Sequence, residues 1–374
     1  MVEIKEVVTK KDIKNFVKFP HVLYKGNPYF VPNLDIDEIG KFDKDKNESY
    51  DDCDVKCFLA YRDGKIVGRI AGIIQKLYNM KTGEKRVRFS RFDSINDVEV
   101  SNALFSSVEK WAKEKGMEII HGPMGYNDLD REGLLIEGFD QLSTFEEQYN
   151  YEYYAPLIEK YGFEKEVDWL EYRLFTPKEP VEKIDRIAEI VAKRYGLRRI
   201  QVKNLKDFIA EYRDQFFDVL DKAYSPLYGV VPFSDKMKEA LIDQFGLILK
   251  KEYIAPIVDK DNKLVAFGLA FPSLSESVNK SKGKLLPFGI FRMLHQIRHP
   301  KHVDAGLIAI VPEYQNKGVN SMIVSYFING MIRKKIEYAE TNLMLEDNTR
   351  IQHQWEVFDF IQHKKRRSYI KRIN

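Results

Sequence analysis

Residues 307–320 read LIAIVPEYQNKGVN, and this stretch decides how the chain is interpreted. An apolar run ends at Pro312, a polar loop follows, and a helical pattern begins near Asn320. Unpaired backbone N–H groups and the helix dipole at such a helix start stabilise a bound phosphate. Gly318 permits close approach of the backbone, and Lys317 adds a positive charge. The stretch predicts a phosphate-binding loop; the alternative is an ordinary strand–helix connection with a surface lysine.

The loop lies in the second half of an internal repeat. Residues 63–67 (DGKIV) and 261–265 (DNKLV) lie 198 positions apart, and both match a β-hairpin with a tight turn. Downstream, residues 158–163 (IEKYGF) and 355–360 (WEVFDF) resemble each other at nearly the same offset. Similar markers in the same order indicate a duplication.

Each half has the same predicted order of elements: helix, hairpin, strand, long helix, strand, helix and strand. Apolar residues at helical spacing place the long helices at about 98–115 and 320–335, each followed by a short strand. Strands mixed with helices predict an α/β fold in each half. The sheet is expected to be mixed, as in α+β proteins. The linker TPKEP at 176–180 places the boundary between domains 1–177 and 178–374.

The loop resembles the phosphate-binding motif of the GNAT (N-acetyltransferase) superfamily. That motif is a strand, a proline and then Q/R-x-x-G-x-G/A at the start of a helix. Pro312, Gln315 and Gly318 match in order and spacing, whereas Asn320 stands where the family has Gly or Ala. The family ending N-x-x-A-x-x-L-Y-x-x-x-G-F also keeps its spacing here, at Asn348, Ile351, Gln354, Trp355, Asp359 and Phe360.

The resemblance implies two tandem GNAT-like acyl-CoA N-acyltransferase domains. It further implies that the second domain binds acetyl-CoA or acyl-CoA as co-substrate and transfers the acyl group to an amine of a small or amino-acid-like acceptor. The implied coenzyme-binding residues are Ile310, Val311, Gln315, Asn316, Lys317, Gly318, Val319, Asn320 and Asn348. The corresponding stretch of the first half, 92–97, lacks the glycine and carries two carboxylates, so we expect no coenzyme binding there.

The same resemblance assigns catalytic roles. A backbone N–H at Ile310 or Val311 would polarise the thioester carbonyl. Glu340 is the first candidate for the base that deprotonates the amine, with Asp304 and Glu346 as alternatives. Asn348 would hold coenzyme A or a water molecule; otherwise it caps a helix.

Trp355 occupies the place of the tyrosine that often protonates the leaving thiolate in this family. Tyr369 or solvent would supply that proton instead, or the domain no longer catalyses. A non-catalytic acyl-CoA binding or sensing protein is therefore the alternative function. An adaptor at a membrane or RNA is a third hypothesis, and it depends only on two basic stretches.

Two insertions distinguish the halves, at 122–150 and 273–302. The segment 280–300 mixes basic with apolar residues, which fits peripheral membrane or lipid contact, a cover for an acyl chain, or a lid or interface helix. The acidic insertion at 122–150 would recognise a cationic amine or form a capped loop over the sheet edge.

Bulk properties exclude other classes. The net charge of +3, from 60 basic and 57 acidic side chains, gives no general attraction to nucleic acid, so we expect none to bind. The basic run HKKRRSY at 363–369 is expected on the solvent face of a last strand. Cys53 and Cys57 lack zinc spacing, and no metal site is predicted. With no apolar leader or membrane-spanning run, the expected location is cytoplasmic.

Overall fold

The computed structural model describes residues 1–246 and 248–373. The strands are β1 (Glu3–Glu6), β2 (Cys53–Arg62), β3 (Lys65–Gln75), β4 (Arg86–Ser94), β5 (Ile119–Gly122), β6 (Leu134–Glu137), β7 (Glu164–Phe175), β8 (Arg198–Arg199), β9 (Ile254–Val258), β10 (Leu264–Pro272), β11 (His302–Ile310), β12 (Tyr338–Thr341), β13 (Met344–Leu345) and β14 (Asp359–Arg372). The helices are α1 (Lys10–Leu23), α2 (Asp35–Lys41), α3 (Lys76–Thr82), α4 (Val98–Glu114), α5 (Tyr154–Lys160), α6 (Glu182–Tyr195), α7 (Leu205–Tyr224), α8 (Asp235–Gly246), α9 (Ser275–Ser281), α10 (Gly289–Arg298), α11 (Asn320–Lys334) and α12 (Thr349–His353). The mixed α/β fold expected from the sequence is confirmed. The side chain of Ile351, one position of the family ending, lies outside the described residues.

The chain folds into two compact units that interleave in sequence. The first comprises Met1–Leu170, Leu274–Leu294 and His363–Asn374; the second comprises Glu171–Ser273 and His295–Gln362. The insertion of the second half is therefore divided, and its first part packs in the first unit. The predicted boundary between residues 177 and 178 separates the two sequence repeats, not these compact units. It stays a prediction.

In the first unit the strands follow the order β1-β2-β3-β4-β5-β14, and β6 also pairs with β14. Only β4 and β5 in this series run parallel; the other neighbours are antiparallel. Gly68 and Gly72 on β3 let α4 approach closely, because an added Cβ would lie 2.7 Å from Leu104 or Trp111. The predicted apolar stripe of α4 therefore faces the sheet.

In the second unit the order is β8-β9-β10-β11-β12-β7, and β11 and β12 form the parallel pair. Here α11 packs on β10, where a Cβ on Gly268 would lie 2.4 Å from Ile323. The tight turns of the two hairpins also correspond, since Gly64 and Asn262 have φ values of +72° and +63°.

The units differ from simple halves because the last strands are exchanged. β7, which closes the first half of the sequence, pairs with β12 through Arg173–Glu340. β14, which closes the second half, pairs with β5 through Ile370–His121. Each unit thus contains a strand from the other repeat.

The basic run on β14 differs from the expected solvent-facing row. Lys364 and Arg366 are fully buried, whereas Lys365 and Arg367 both bind Asp168, at 3.0 and 2.7 Å. A strand alternates its faces, so half of these cations point into the first unit. The run is used within the fold and presents no continuous basic surface.

Both cysteines lie inside one apolar cluster of the first unit. Burial raises the pKa of the Cys53 and Cys57 thiols to about 12. Neither cysteine forms a disulfide within the described residues.

Candidate functional site

The loop after β11 has a defined geometry. Pro312–Tyr314 form one turn of 3-10 helix, and a further turn leads into α11. The Gln315 side-chain amide donates to the Ile310 carbonyl oxygen at 2.9 Å, which ties the loop back to the strand end. The predicted strand–loop–helix arrangement is therefore present.

The start of α11 has no side-chain cap. Val319 holds the N-cap position without such a hydrogen bond, and Asn320 is the first helical residue, not the cap. Among the described residues, no backbone carbonyl accepts a hydrogen bond from the N–H groups of Asn316, Lys317 or Gly318. Unpaired donors at the positive end of a helix are what a phosphate group requires.

Gly318 is required by the shape of this loop. Its φ of +76° is rare for residues with a side chain, and an added Cβ would lie 3.2 Å from Val191 of α6. The neighbouring Lys317 is exposed, and its ammonium lies 5.4 Å from the ring centres of both Tyr195 and Tyr314. The two rings keep a positive charge beside the open donors.

Strands β11 and β12 separate next to this loop. Their parallel pairing runs from His302–Tyr338 to Ala305–Thr341, whereas β11 continues to Ile310. Within the part of the chain that the structure describes, the backbone of residues 306–310 therefore has no strand partner on the β12 side. Tyr224 of α7 fills part of this gap and donates its hydroxyl to the Ile308 carbonyl oxygen at 3.2 Å.

The two candidate donors to a thioester carbonyl are not equivalent. Val311 N–H donates to the Val265 carbonyl oxygen at 3.0 Å, so it is already used. Ile310 is opposite Ala266 in the same ladder, and alternate residues of an antiparallel ladder direct their N–H groups to opposite sides. The N–H of Ile310 therefore points toward the gap beside β12.

Glu340 lies on β12 directly opposite Asp304 of β11 and Arg173 of β7. Both Nε and Nη2 of Arg173 lie 2.8 Å from Oε1 of Glu340. Glu340 and Asp304 are both largely buried. Paired positions on neighbouring strands share a face of the sheet, so the two carboxylates lie on the same side.

The remaining predicted residues lie apart in the fold. Asn348 is half-buried and directly precedes α12, with its carbonyl oxygen accepting from Gln352 N–H at 3.4 Å. Glu346 lies in the turn after β13. Trp355 is buried, and its indole N–H donates to the Met344 sulfur at 3.1 Å. Tyr369 belongs to the first unit, where its hydroxyl donates to Glu159 at 3.2 Å.

The corresponding helix start in the first unit is closed. Asp97 is the N-cap of α4, and its side chain accepts from Val100 N–H at 3.2 Å. Arg62 donates to both Asp97 and Glu99 at 2.8 Å. The hydrogen bond from Arg62 lowers the pKa of Asp97, so this carboxylate stays ionised at the helix start. A phosphate would meet two negative charges there.

Sequence reasoning missed Arg173 and Tyr224 at this site. Arg173 lies in the first repeat, and only the exchange of β7 brings it opposite Glu340. Tyr224 ends a long amphipathic helix and shows no motif. Residues of this kind have no local sequence signal, because their role depends on strand pairing.

No family model matches the chain. Among solved structures, a tandem GNAT protein from the clavulanic acid biosynthesis pathway superposes with a TM-score of 0.58 at 10% identity, covering 99% of this chain and 98% of the other. A GCN5-related N-acetyltransferase from Sphaerobacter thermophilus gives 0.53 at 8% identity, covering 99% and 95%. The chain has the tandem GNAT fold.

Two relatives are similar in sequence. Protein YghO of Escherichia coli K12 is 28% identical over 99% of this chain and 95% of its own length. The bacterial ceramide synthase of Caulobacter vibrioides is 26% identical over 78% and 75%. Among the described residues, none of the helices combines the length and apolar content that a bilayer-spanning segment needs.

Proposed function

We propose that this tandem GNAT protein is an acyl-CoA-dependent N-acyltransferase whose coenzyme site is the loop before α11. The observation that carries the proposal is the open helix start: unpaired N–H groups at 316–318, a positive-φ glycine and the exposed ammonium of Lys317 lie together. These groups fit the diphosphate of coenzyme A. The thioester arm would lie in the adjacent gap between β11 and β12.

In the proposed reaction, an amine nitrogen attacks the carbonyl carbon of the thioester. A C–N bond forms, the C–S bond breaks, and coenzyme A leaves as a thiol that carries the proton lost by the amine. Ile310 N–H would stabilise the negative charge that develops on the carbonyl oxygen. Glu340 would accept the amine proton, while Arg173 holds its carboxylate in position.

Two measurements test the proposal on the full-length protein. Calorimetry with acetyl-CoA and palmitoyl-CoA measures binding, and a free-thiol assay over a panel of amines measures turnover. Saturable binding together with amine-dependent thiol release is the expected result. Failure of both coenzymes to bind at millimolar concentration would exclude the coenzyme site.

A non-catalytic acyl-CoA binding protein is the second candidate. It is favoured by Trp355, whose indole N–H is bound to Met344 and has no acidic proton for a leaving thiolate. Saturable binding without thiol release from any amine would support this alternative.

We further propose a longer acyl donor or lipid-like acceptor, with peripheral membrane contact through residues 280–300. Apolar side chains exposed on α10 and the preceding loop support it, with basic residues alongside: Leu286, Phe288, Phe291 and Leu294, with Lys280, Lys284 and Arg292. The similarity to a ceramide synthase supports it as well, because a ceramide is the N-acyl form of a long-chain amino alcohol.

The unpaired Cys53 and Cys57 support a reducing, cytoplasmic location.

Point variants suit this test better than deletion, because residues 280–294 of the segment are part of the first unit. Asp35 N–H donates to the Gly283 carbonyl oxygen, and Asn279 donates to that of Phe30. The double variant Phe288→Ser and Phe291→Ser should lose flotation with anionic phospholipid vesicles. Met80→Ser removes an equally exposed apolar side chain elsewhere and should float like the wild type. Equal flotation of all three proteins would remove the membrane proposal.

A further inference from the structure

The first unit contains a crevice that the coenzyme site does not use. It encloses about 420 Å³ of space between atoms, part of it open to solvent. Three buried arginines line it, together with three carboxylates: Arg69, Arg91, Arg131, Asp35, Glu38 and Asp93. Small-molecule sites in proteins likewise have a few converging polar groups.

Two of the arginines are fully engaged with the protein. Arg69 Nε donates to Asp93 at 2.8 Å, and Arg91 Nε donates to Glu38 at 2.7 Å. Arg91 Nη2 also donates to Asp130 at 2.8 Å. A β-bulge gives Arg91 a φ of +50° and directs it into this cluster.

Arg131 differs, because no carboxylate among the described residues lies within ion-pair distance of it. Its Nη2 donates only to the carbonyl oxygens of Phe145, at 2.6 Å, and Val31, at 3.5 Å. Its exposure is 7%, and burial lowers the pKa of its guanidinium to about 10. A buried guanidinium without a counter-ion is costly unless an anion joins it.

Gln148 supplies a second donor without a partner. Its side chain is 8% exposed and lines the same crevice, and none of the described residues accepts a hydrogen bond from its Nε2. Buried amide N–H groups in native proteins are nearly always bonded to protein or to a ligand or water. Arg131 and Gln148 thus leave two sets of donors in one enclosed space.

We propose that the crevice binds the carboxylate group of a small organic acid through Arg131 and Gln148. The planar guanidinium fork matches two carboxylate oxygens. Arg131 forms no ion pair within the described residues, so a single negative charge can pair with it, whereas a phosphate dianion would be repelled by Asp35, Glu38 and Asp93. Phe30 and Tyr149 offer apolar surface to the carbon skeleton of the acid. The proposal concerns the first unit alone and does not depend on acyl transfer.

The test uses the full-length protein with acetate, succinate, L-glutamate and inorganic phosphate, each against sodium chloride at equal ionic strength. We expect at least one carboxylate to raise the melting temperature saturably and to bind by calorimetry. Arg131→Gln should weaken that binding at least tenfold, because a charge-assisted hydrogen bond is lost. Arg62→Gln, which removes an arginine outside the crevice, should bind like the wild type.

Gln148→Met keeps the result decisive if Arg131→Gln does not fold. The Gln148 amide nitrogen has no protein partner, so methionine should preserve or raise stability while weakening carboxylate binding at least threefold. Three outcomes would overturn the proposal: no carboxylate acts beyond chloride, Gln148→Met binds as tightly as the wild type, or phosphate binds more tightly than every carboxylate.

Discussion

The N-termini of α4 and α11 hold corresponding places in the two units and differ in what satisfies their backbone donors. In each unit, the residue directly after the preceding strand donates its backbone N–H to the hairpin strand beside it. Ile95 donates to the Val67 carbonyl oxygen, and Val311 donates to that of Val265, both at 3.0 Å. The α4 end is then capped by Asp97, whereas the α11 end has no side-chain cap. A duplicated fold can therefore keep its backbone while one copy fills the place that the other leaves for a ligand.

The same contrast extends to the strands. In the second unit, Asp304 is opposite Glu340; in the first, Arg88 is opposite His121 at the corresponding pair. Burial lowers the pKa of His121 to about 4, so its ring is neutral at physiological pH. Carboxylates at this position occur only in the unit with the open helix start, which strengthens the choice of Glu340 as the proposed base.

The largest effect is expected at that base. Glu340→Gln should lower the rate of amine-dependent thiol release by about 10²–10⁴-fold, the usual contribution of a general base. Coenzyme binding measured by calorimetry should remain. Asp304→Asn is the matched control and should retain most turnover. Wild-type turnover by the Glu340→Gln enzyme would show that another group is the base.

Gly318→Glu should abolish acyl-CoA binding, a loss of more than about a hundredfold, because a side chain and a negative charge would enter the phosphate site. Gly64→Glu is the matched control, since Gly64 also has positive φ, at +72°, but open space around it. Calorimetry on both variants separates backbone strain from loss of the site. Equal affinity of the two variants would contradict the site at α11.

Asn320→Asp makes the start of α11 more like that of α4. The added negative charge should weaken coenzyme binding by about tenfold, yet raise the free energy of unfolding by about 0.3–1 kcal/mol through the helix dipole. Asn320→Ala restores a residue type of the family motif and should bind at least as tightly as the wild type. Reduced affinity together with reduced stability would instead indicate local unfolding.

Asp97→Ala should cost about 1 kcal/mol of unfolding free energy by removing a cap, with no change in acyl-CoA affinity. Asp97→Asn keeps a capping oxygen and removes only the charge. Because the folded-state pKa of Asp97 is lowered, the ionic contribution is present above the unfolded pKa and is lost as pH falls below about 4. The stability difference between wild type and Asp97→Asn, measured by urea unfolding, should shrink over that range. A difference independent of pH would contradict a role for the charge.

The sequence predicted the local features of this contrast well. The glycine-containing loop, both long helices and the carboxylates at 92–97 are set by neighbouring residues, and local patterns report them. It did not predict that Asp97 would cap α4 and bind Arg62, which depends on tertiary contacts. Nor did it predict the hydrogen bond from Val311 N–H to the Val265 carbonyl oxygen, because neither strand of an antiparallel pair determines the register alone.

The exchanged strands and the charged crevice were harder still to foresee. The sequences of β7 and β14 do not indicate which strand each pairs with. Their apolar pattern is equally compatible with pairing inside the same repeat. Buried charges such as Arg91 and Arg131 look in sequence like ordinary surface residues, since only their neighbours in space show that they are enclosed.

The position of β14 has a consequence for biosynthesis. In the first unit, β5 pairs with β14, a strand that the ribosome makes much later. About 240 residues separate these strands in sequence, so one edge of β5 stays unpaired until β14 has been synthesised. Deletion of residues 363–372 should therefore destabilise the first unit, and a nascent chain stalled before β14 should expose the unpaired edge of β5 to aggregation.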